Sequence, residues 1–219
     1  MSFIASGASG EIDRMSGLRS YGDPCGIARA LDVVGERWAL LIVRELLLGP
    51  KRFSDLRVSL GASPNVLSQR LGELEAGGVV QQRSAGGALY ELTDWGRDLH
   101  PVLLRLGRWG ARALHRPTGP LGVDALMIAL ESTFVPETAA DLRATYELRL
   151  DEERFSVAVG DGKITIARGS PRNPDAVIET DPGTLRAVVF GDRKLAAAPV
   201  ALRGDARLAR TFFRLFARP

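Results

Sequence analysis

The chain has 219 residues, 45% of them hydrophobic and 25% charged, with a formal net charge of +3 and one cysteine. Those figures suit one large or two small globular domains and exclude an internal disulfide. They also exclude a helical membrane span, because no apolar run reaches the ~20 residues needed and the longest is broken by Arg44 and Glu45.

The cationic surplus lies in the first half, with 15 Lys and Arg against 12 Asp and Glu up to Thr118. This mild basic bias is compatible with nucleic acid. All but three of the 29 cations are arginine, which favours bidentate contacts to phosphate and guanine. Residues 1–20 are rich in Gly and Ser and lack an apolar h-region. They are expected to form a disordered tail rather than a secretory signal, with Met15 as an alternative start. The lone Cys25 suits a reducing, cytoplasmic setting.

Asp23-Pro24 is predicted to open a helix, Asp23 as cap, with Ala28, Leu31 and Val34 inward and Gly35 as its end. A helix over 36–48 is apolar almost all round and should be central. Gly49-Pro50 stops it, and Ser54 is read as the cap of a short third helix, with Phe53 and Val58 as its hydrophobic staple.

Gly61 then turns the chain into a helix over 63–76, with Ser63 as cap and Pro64 at its first position. Leu67, Leu71 and Leu74 form its buried stripe. At about 100° per residue, Asn65, Ser68, Gln69 and Gly72 share the opposite face, with Arg70 on the flank. Two short helices joined by a glycine turn, the second with a polar outward face, form a helix-turn-helix.

Strands over 79–83 and 88–92 flank the hairpin signal Ser84-Ala85-Gly86-Gly87, which makes them a wing. Thr93 is expected to cap one long helix, bent at Pro101, with the stripe Leu99, Leu103, Leu106 and Trp109 packing on a second subunit.

Cys25-Gly26-Ile27-Ala28-Arg29-Ala30-Leu31-Asp32-Val33-Val34-Gly35, Arg37-Trp38, Leu41-Ile42 and Arg52-Phe53-Ser54-Asp55-Leu56 together resemble the HxlR family. So do Ser63-Pro64, Leu67-Ser68-Gln69-Arg70-Leu71, Tyr90-Glu91-Leu92-Thr93 and Gly96-Arg97. The resemblance covers residues 23–112. It implies a dimeric, winged-helix transcription regulator of bacteria, a repressor bound to double-stranded operator DNA in the nucleoid. Ser63, Asn65, Ser68, Gln69 and Arg70 would face the major groove, and Arg83 the backbone beside the wing.

The sequence departs from the family where basic residues are usual, with Asn65 and Gly72 in those places and only Arg83 as a cation on a short wing. Fewer phosphate contacts mean a shallower salt dependence. Cys25 stands at a predicted helix start, where a thiolate is stabilised. The matching cysteine in several family members senses electrophiles or oxidants. Here it is either such a sensor or a helix-start residue whose reactivity is unused.

Thr118-Gly119-Pro120 reads as a linker, which gives domains over 21–117 and 118–219. Beyond it come a helix over 124–134 and alternating runs at Tyr146-Leu148-Leu150, Phe155-Val157-Val159, Ile164-Ile166 and Val177-Ile178, some separated by turns at Asp161-Gly162 and Ser170-Pro171. Asp181-Pro182 opens a further helix, and a last strand leads through Gly204-Asp205 into a final one. The expected class is α+β: an N-terminal winged helix-turn-helix, then a smaller domain of sheet and helices.

Phe155 to Ile166, Asp181-Pro182-Gly183-Thr184-Leu185 and Val200 to Asp205 resemble a sterol-carrier-protein-type domain. This implies an apolar tunnel for a hydrophobic ligand, and the alternative is a plainly filled core. An enzyme is not expected. The two histidines, His100 and His115, lie on one helix, and neither metal-ligand spacing nor a phosphate-cradling loop is present. No catalytic residue, metal or cofactor is assigned. The competing reading is a lipid carrier whose winged half serves for dimerisation.

Overall fold

A computed structural model describes residues 20–83, 88–113, 119, 121–139 and 141–218. The expected tail up to residue 19, the hairpin loop 84–87, His115, Thr118 and Pro120 lie outside these residues. The class is α+β, with a winged helix-turn-helix followed by a sheet-and-helix unit. By contacts the chain forms two units. Of the described residues, one holds those up to Val43 and those within 51–97; the other holds Arg44–Pro50 and those from Asp98 on.

In the first unit, α1 (Gly26–Val34) starts later than expected. Asp23 makes a turn, accepting the Cys25 N–H at 2.9 Å, and Cys25 takes the cap position. α2 (Ala39–Leu46), which the division by contacts crosses after Val43, also starts late, because Trp38 adopts φ +82° while its carbonyl accepts the Ile42 N–H at 2.8 Å. Lys51 and Arg52 form a short strand, β1, before α3 (Phe53–Leu60). Phe53 is thus the first helical residue, and Ser54 is not the cap; the Asp55 carboxylate accepts the Arg52 N–H at 3.3 Å. The staple does not form, since Val58 is 76% exposed.

Gly61 ends α3 at φ +64°, a conformation glycine reaches without cost, and α4 (Pro64–Ala76) follows. Leu67, Leu71 and Leu74 are buried, each contributing about 1.5–3 kcal/mol relative to exposure. β2 (Val80–Arg83) and β3 (Leu89–Leu92) pair antiparallel with Val80 opposite Leu92. β1 adds to β3 with Lys51 opposite Tyr90, giving the order β1-β3-β2. Thr93 caps α5 (Asp94–Arg97), accepting the Gly96 N–H at 3.0 Å.

The single long helix expected after Thr93 is two helices, with a break at Asp98 and Leu99. α6 (His100–Gly110) carries Pro101 in its first turn, where the missing N–H leaves no bond unmade, so the proline starts a helix instead of bending one. α6 groups with the second unit, so the division by contacts falls earlier than the linker expected near Thr118.

The second unit continues with α7 (Val123–Thr133), β4 (Ala144–Leu150), β5 (Glu153–Gly160), β6 (Lys163–Arg168) and β7 (Ala176–Thr180). α8 (Pro182–Val189), β8 (Ala201–Gly204) and α9 (Ala206–Phe212) complete it. The sheet order is β6-β5-β4-β7-β8, antiparallel except for the parallel pair β4 and β7. Asp161 (φ +51°) and Gly162 (φ +66°) make the two-residue turn between β5 and β6, as the Asp-Gly signal predicts. Asp181 caps α8 through the Thr184 N–H at 2.8 Å, and Asp205 caps α9 through the Arg207 and Leu208 N–H groups.

Alternate residues of the strands, among them Tyr146, Leu148, Phe155, Val157 and Ile178, share one core with Leu126, Met127 and Leu130 of α7, Leu185 of α8 and Phe212 of α9. Phe212 stacks edge-on against Tyr146 and Phe216, with centroids 5.3 and 5.1 Å away. The buried Asp124 carboxylate at the start of α7 pairs with Arg168, whose guanidinium lies 4.9 Å from the Phe155 ring centroid.

Candidate nucleic-acid interface

α4 is held by its cap and its leucines, which decides what it leaves outside. The Ser63 hydroxyl accepts the Val66 N–H at 3.4 Å, Pro64 fills the first position, and the leucine stripe faces inward. Ser63, Asn65, Ser68, Gln69 and Gly72 are exposed. A Cβ at Gly72 would meet no heavy atom within 4 Å. The outward face therefore offers hydroxyls and amides, groups able to donate and accept hydrogen bonds without carrying charge.

Arg70 is placed differently. Its side chain is only 18% exposed, paired with Glu73 and 3.6 Å from Glu36. The Gln69 amide donates to the other Glu73 oxygen at 3.0 Å. On the wing, Arg83 is 58% exposed and donates to Glu91 at 3.2 Å, while Gln81 donates to the same carboxylate at 2.7 Å. Glu73 and Glu91 were not among the expected site residues. Glu73 could have been found from its i+3 and i+4 spacing to Arg70 and Gln69. Glu91 needed the hairpin register that sets it opposite Gln81.

The wing is fastened to α5 through Thr93. Thr93 donates its hydroxyl hydrogen to the Gly78 carbonyl at 2.7 Å, and its N–H donates to the Val79 carbonyl at 3.0 Å. Gly96 lies so close that an added Cβ would sit 2.1 Å from that Val79 oxygen.

Cys25 is exposed at the start of α1, its carbonyl accepting the Arg29 N–H at 3.0 Å. The expected dimer stripe is divided. Leu99 is partly buried and Leu103 is buried, whereas Leu106 and Trp109 are 42% and 68% exposed, with Val102 beside them. α6 packs on α7, with His100 Nε2 2.9 Å from Glu131 Oε2 and Arg108 Nε donating to the Ser132 carbonyl at 3.0 Å. The hydrogen bond to Glu131 holds the His100 pKa above the usual imidazole value, against the opposing effect of burial. In the second unit's core, burial pushes the Tyr146 phenol up to about 12, and its hydroxyl has no hydrogen-bond partner among the described residues. No helix among the described residues is long and apolar enough to cross a membrane.

The glycine-turned helix pair, the exposed face of α4 and the three-stranded wing define a winged helix-turn-helix protein. The family model for HxlR-like helix-turn-helix proteins matches residues 33–118. The HTH-type transcriptional regulator YvaP of Bacillus subtilis is 41% identical over 86 residues, covering 37% of this chain and 80% of that protein. The chain belongs to the HxlR-like family.

Rv3095 of Mycobacterium tuberculosis, also an HTH-type transcriptional regulator by name, is 41% identical over 98 residues, covering 43% of this chain. The chain spans 62% of the length of that relative. Among solved structures, quinone-bound YodB of B. subtilis is 31% identical, covering 40% of this chain and 97% of that one, with a TM-score of 0.37.

Proposed function

We propose that the protein is a DNA-binding transcriptional regulator, a repressor acting as a homodimer with α4 in the major groove and the wing along the flanking backbone. The observation that carries this reading is the exposed, uncharged polar face of α4 beside a wing, in a chain of a regulator family. Asn65, Ser68 and Gln69 contact base edges, and Ser63 lies at the groove's rim. Arg70 and Arg83 supply what phosphate contact there is. Specificity rests on neutral side chains more than on counterion release. The apolar surface of Val102, Leu106 and Trp109 supports the homodimer.

The test is binding to genomic target fragments from low to moderate salt. Gln69→Ala is expected to cost about 1–3 kcal/mol at one base position. The slope of log K against log salt is expected to be shallower than about −10. A slope that steep, with Gln69→Ala neutral, contradicts the reading.

Two modulators belong to this proposal. The second unit is a sterol-carrier-type receptor for a hydrophobic ligand, a reading supported by the apolar face that its sheet shares with α7, α8 and α9. Any such ligand acts only by binding two conformations unequally. Cys25, exposed at the start of α1, responds to oxidants or electrophiles. DNA release by diamide or quinone that persists unchanged in Cys25→Ser removes that part.

A further inference from the structure

Two carboxylates in the first unit repeat one arrangement on the helix and on the wing. Glu73 accepts from the Gln69 amide at 3.0 Å through Oε1 and pairs with Arg70 through Oε2. The buried Glu91 accepts from the Gln81 amide at 2.7 Å through Oε1 and from the Arg83 guanidinium at 3.2 Å through Oε2. Each therefore holds one glutamine and one arginine, and Arg70 faces a second carboxylate, Glu36, at 3.6 Å.

We infer that Glu73 and Glu91 are specificity-determining residues, which neutralise Arg70 and Arg83 and so suppress sequence-independent attachment to DNA. The inference rests on the DNA-binding reading above. A guanidinium already paired with a carboxylate gains little by exchanging it for a phosphate. The exchange also leaves the released carboxylate facing another anion. The term that binds any DNA is thereby reduced, because it scales with the phosphates neutralised. Contacts from uncharged groups to base edges carry no such penalty. Gln69 keeps its carbonyl oxygen and one amide hydrogen for a base while Glu73 fixes its orientation.

The test uses the full chain with two duplexes, a genomic fragment that it enriches and a scrambled sequence of equal length and composition. Glu73→Gln and Glu91→Gln keep the side-chain shape and remove the charge. On the scrambled duplex Glu91→Gln is expected to steepen the salt slope by about 0.9, Glu73→Gln by a part of that because Glu36 still faces Arg70, and each by less on the genomic fragment, where base contacts fix the register. Between roughly 50 and 200 mM salt, Glu91→Gln then loses about 3.5 times more affinity for the scrambled duplex than the parent does. Its preference for the genomic fragment narrows at the low-salt end. Adding Arg83→Gln to Glu91→Gln removes the extra slope, a reversal that a merely structural role for Glu91 does not produce.

Melting curves establish that each variant is folded, and Glu73, with a side chain 23% exposed, tolerates the change even if the buried Glu91 does not. Unchanged slopes in variants of a parent that binds DNA overturn the inference and leave the DNA-binding reading standing. Affinity lost on the genomic fragment alone, with slopes unchanged, overturns it too, since the carboxylates would then only orient the glutamines. A parent that enriches no DNA overturns both.

Discussion

Gly72 sits mid-helix in α4, exposed, with open space where a side chain would stand. Glycine inside a helix costs about 0.8–1.0 kcal/mol relative to alanine. Nothing within 4 Å opposes a new Cβ, so Gly72→Ala is expected to recover the full amount. A gain of about 1 kcal/mol raises the melting temperature of a 60–100-residue unit by about 4–8 °C. Gly72→Arg keeps most of that gain, because arginine is also a good helix former. It also adds a cation in line with Asn65 on the proposed groove face. If that face meets DNA, the arginine finds phosphate, and the slope of log K against log salt steepens by about 0.9. Thermal melts and salt-titrated anisotropy on both variants measure the two effects separately. A destabilised Gly72→Ala refutes the packing argument. A Gly72→Arg slope equal to the parent's, in a protein that binds its target, refutes the placement of this face against DNA.

Three further outcomes follow from geometry. Gly96→Ala places a methyl 2.1 Å from the Val79 carbonyl oxygen, and because backbone must move, the cost is expected near about 3 kcal/mol, read by urea melting. Asp181→Ala removes the α8 cap and should cost about 0.5–2 kcal/mol. The hydrogen bonds from Thr184 hold the Asp181 carboxyl below its ordinary value, so this contribution is present above pH about 4 and is lost as pH falls through the lowered pKa. His100 has the opposite sign. Its pKa is raised by Glu131, so the stability it lends to the contact of α6 with α7 is full below pH about 6.5 and is lost as pH rises through the raised value. His100→Gln should flatten that dependence in melts taken across neutral pH.

Much of the winged unit was legible because its signals are local. Ser63-Pro64 and the leucines of α4 specify cap, start and buried face within one stretch, and Asp161-Gly162, Asp181-Pro182 and Asp205 do the same in the second unit. What escaped depends on partners distant in sequence. β1 is two residues long and exists through Lys51 and Arg52 pairing with β3. The break at Asp98 and Leu99 interrupts a helical pattern that runs on through it in sequence, and Leu103 is buried although it lies on the stripe expected to face a partner. At the candidate interface the exposed face was readable from angular spacing, whereas the ties of Arg83 and Gln81 to Glu91 required strand register. Trp38 at φ +82° has no sequence signal, since bulky residues rarely adopt that conformation.

The most direct test of the central claim is genome-wide enrichment of DNA by the purified full chain. The account predicts a motif with two related half-sites, their centres one helical turn apart, roughly 34–36 Å, or a multiple of it, with discrimination lost at one base position in Gln69→Ala. Uniform recovery of genomic DNA, or no recovery at all, contradicts it.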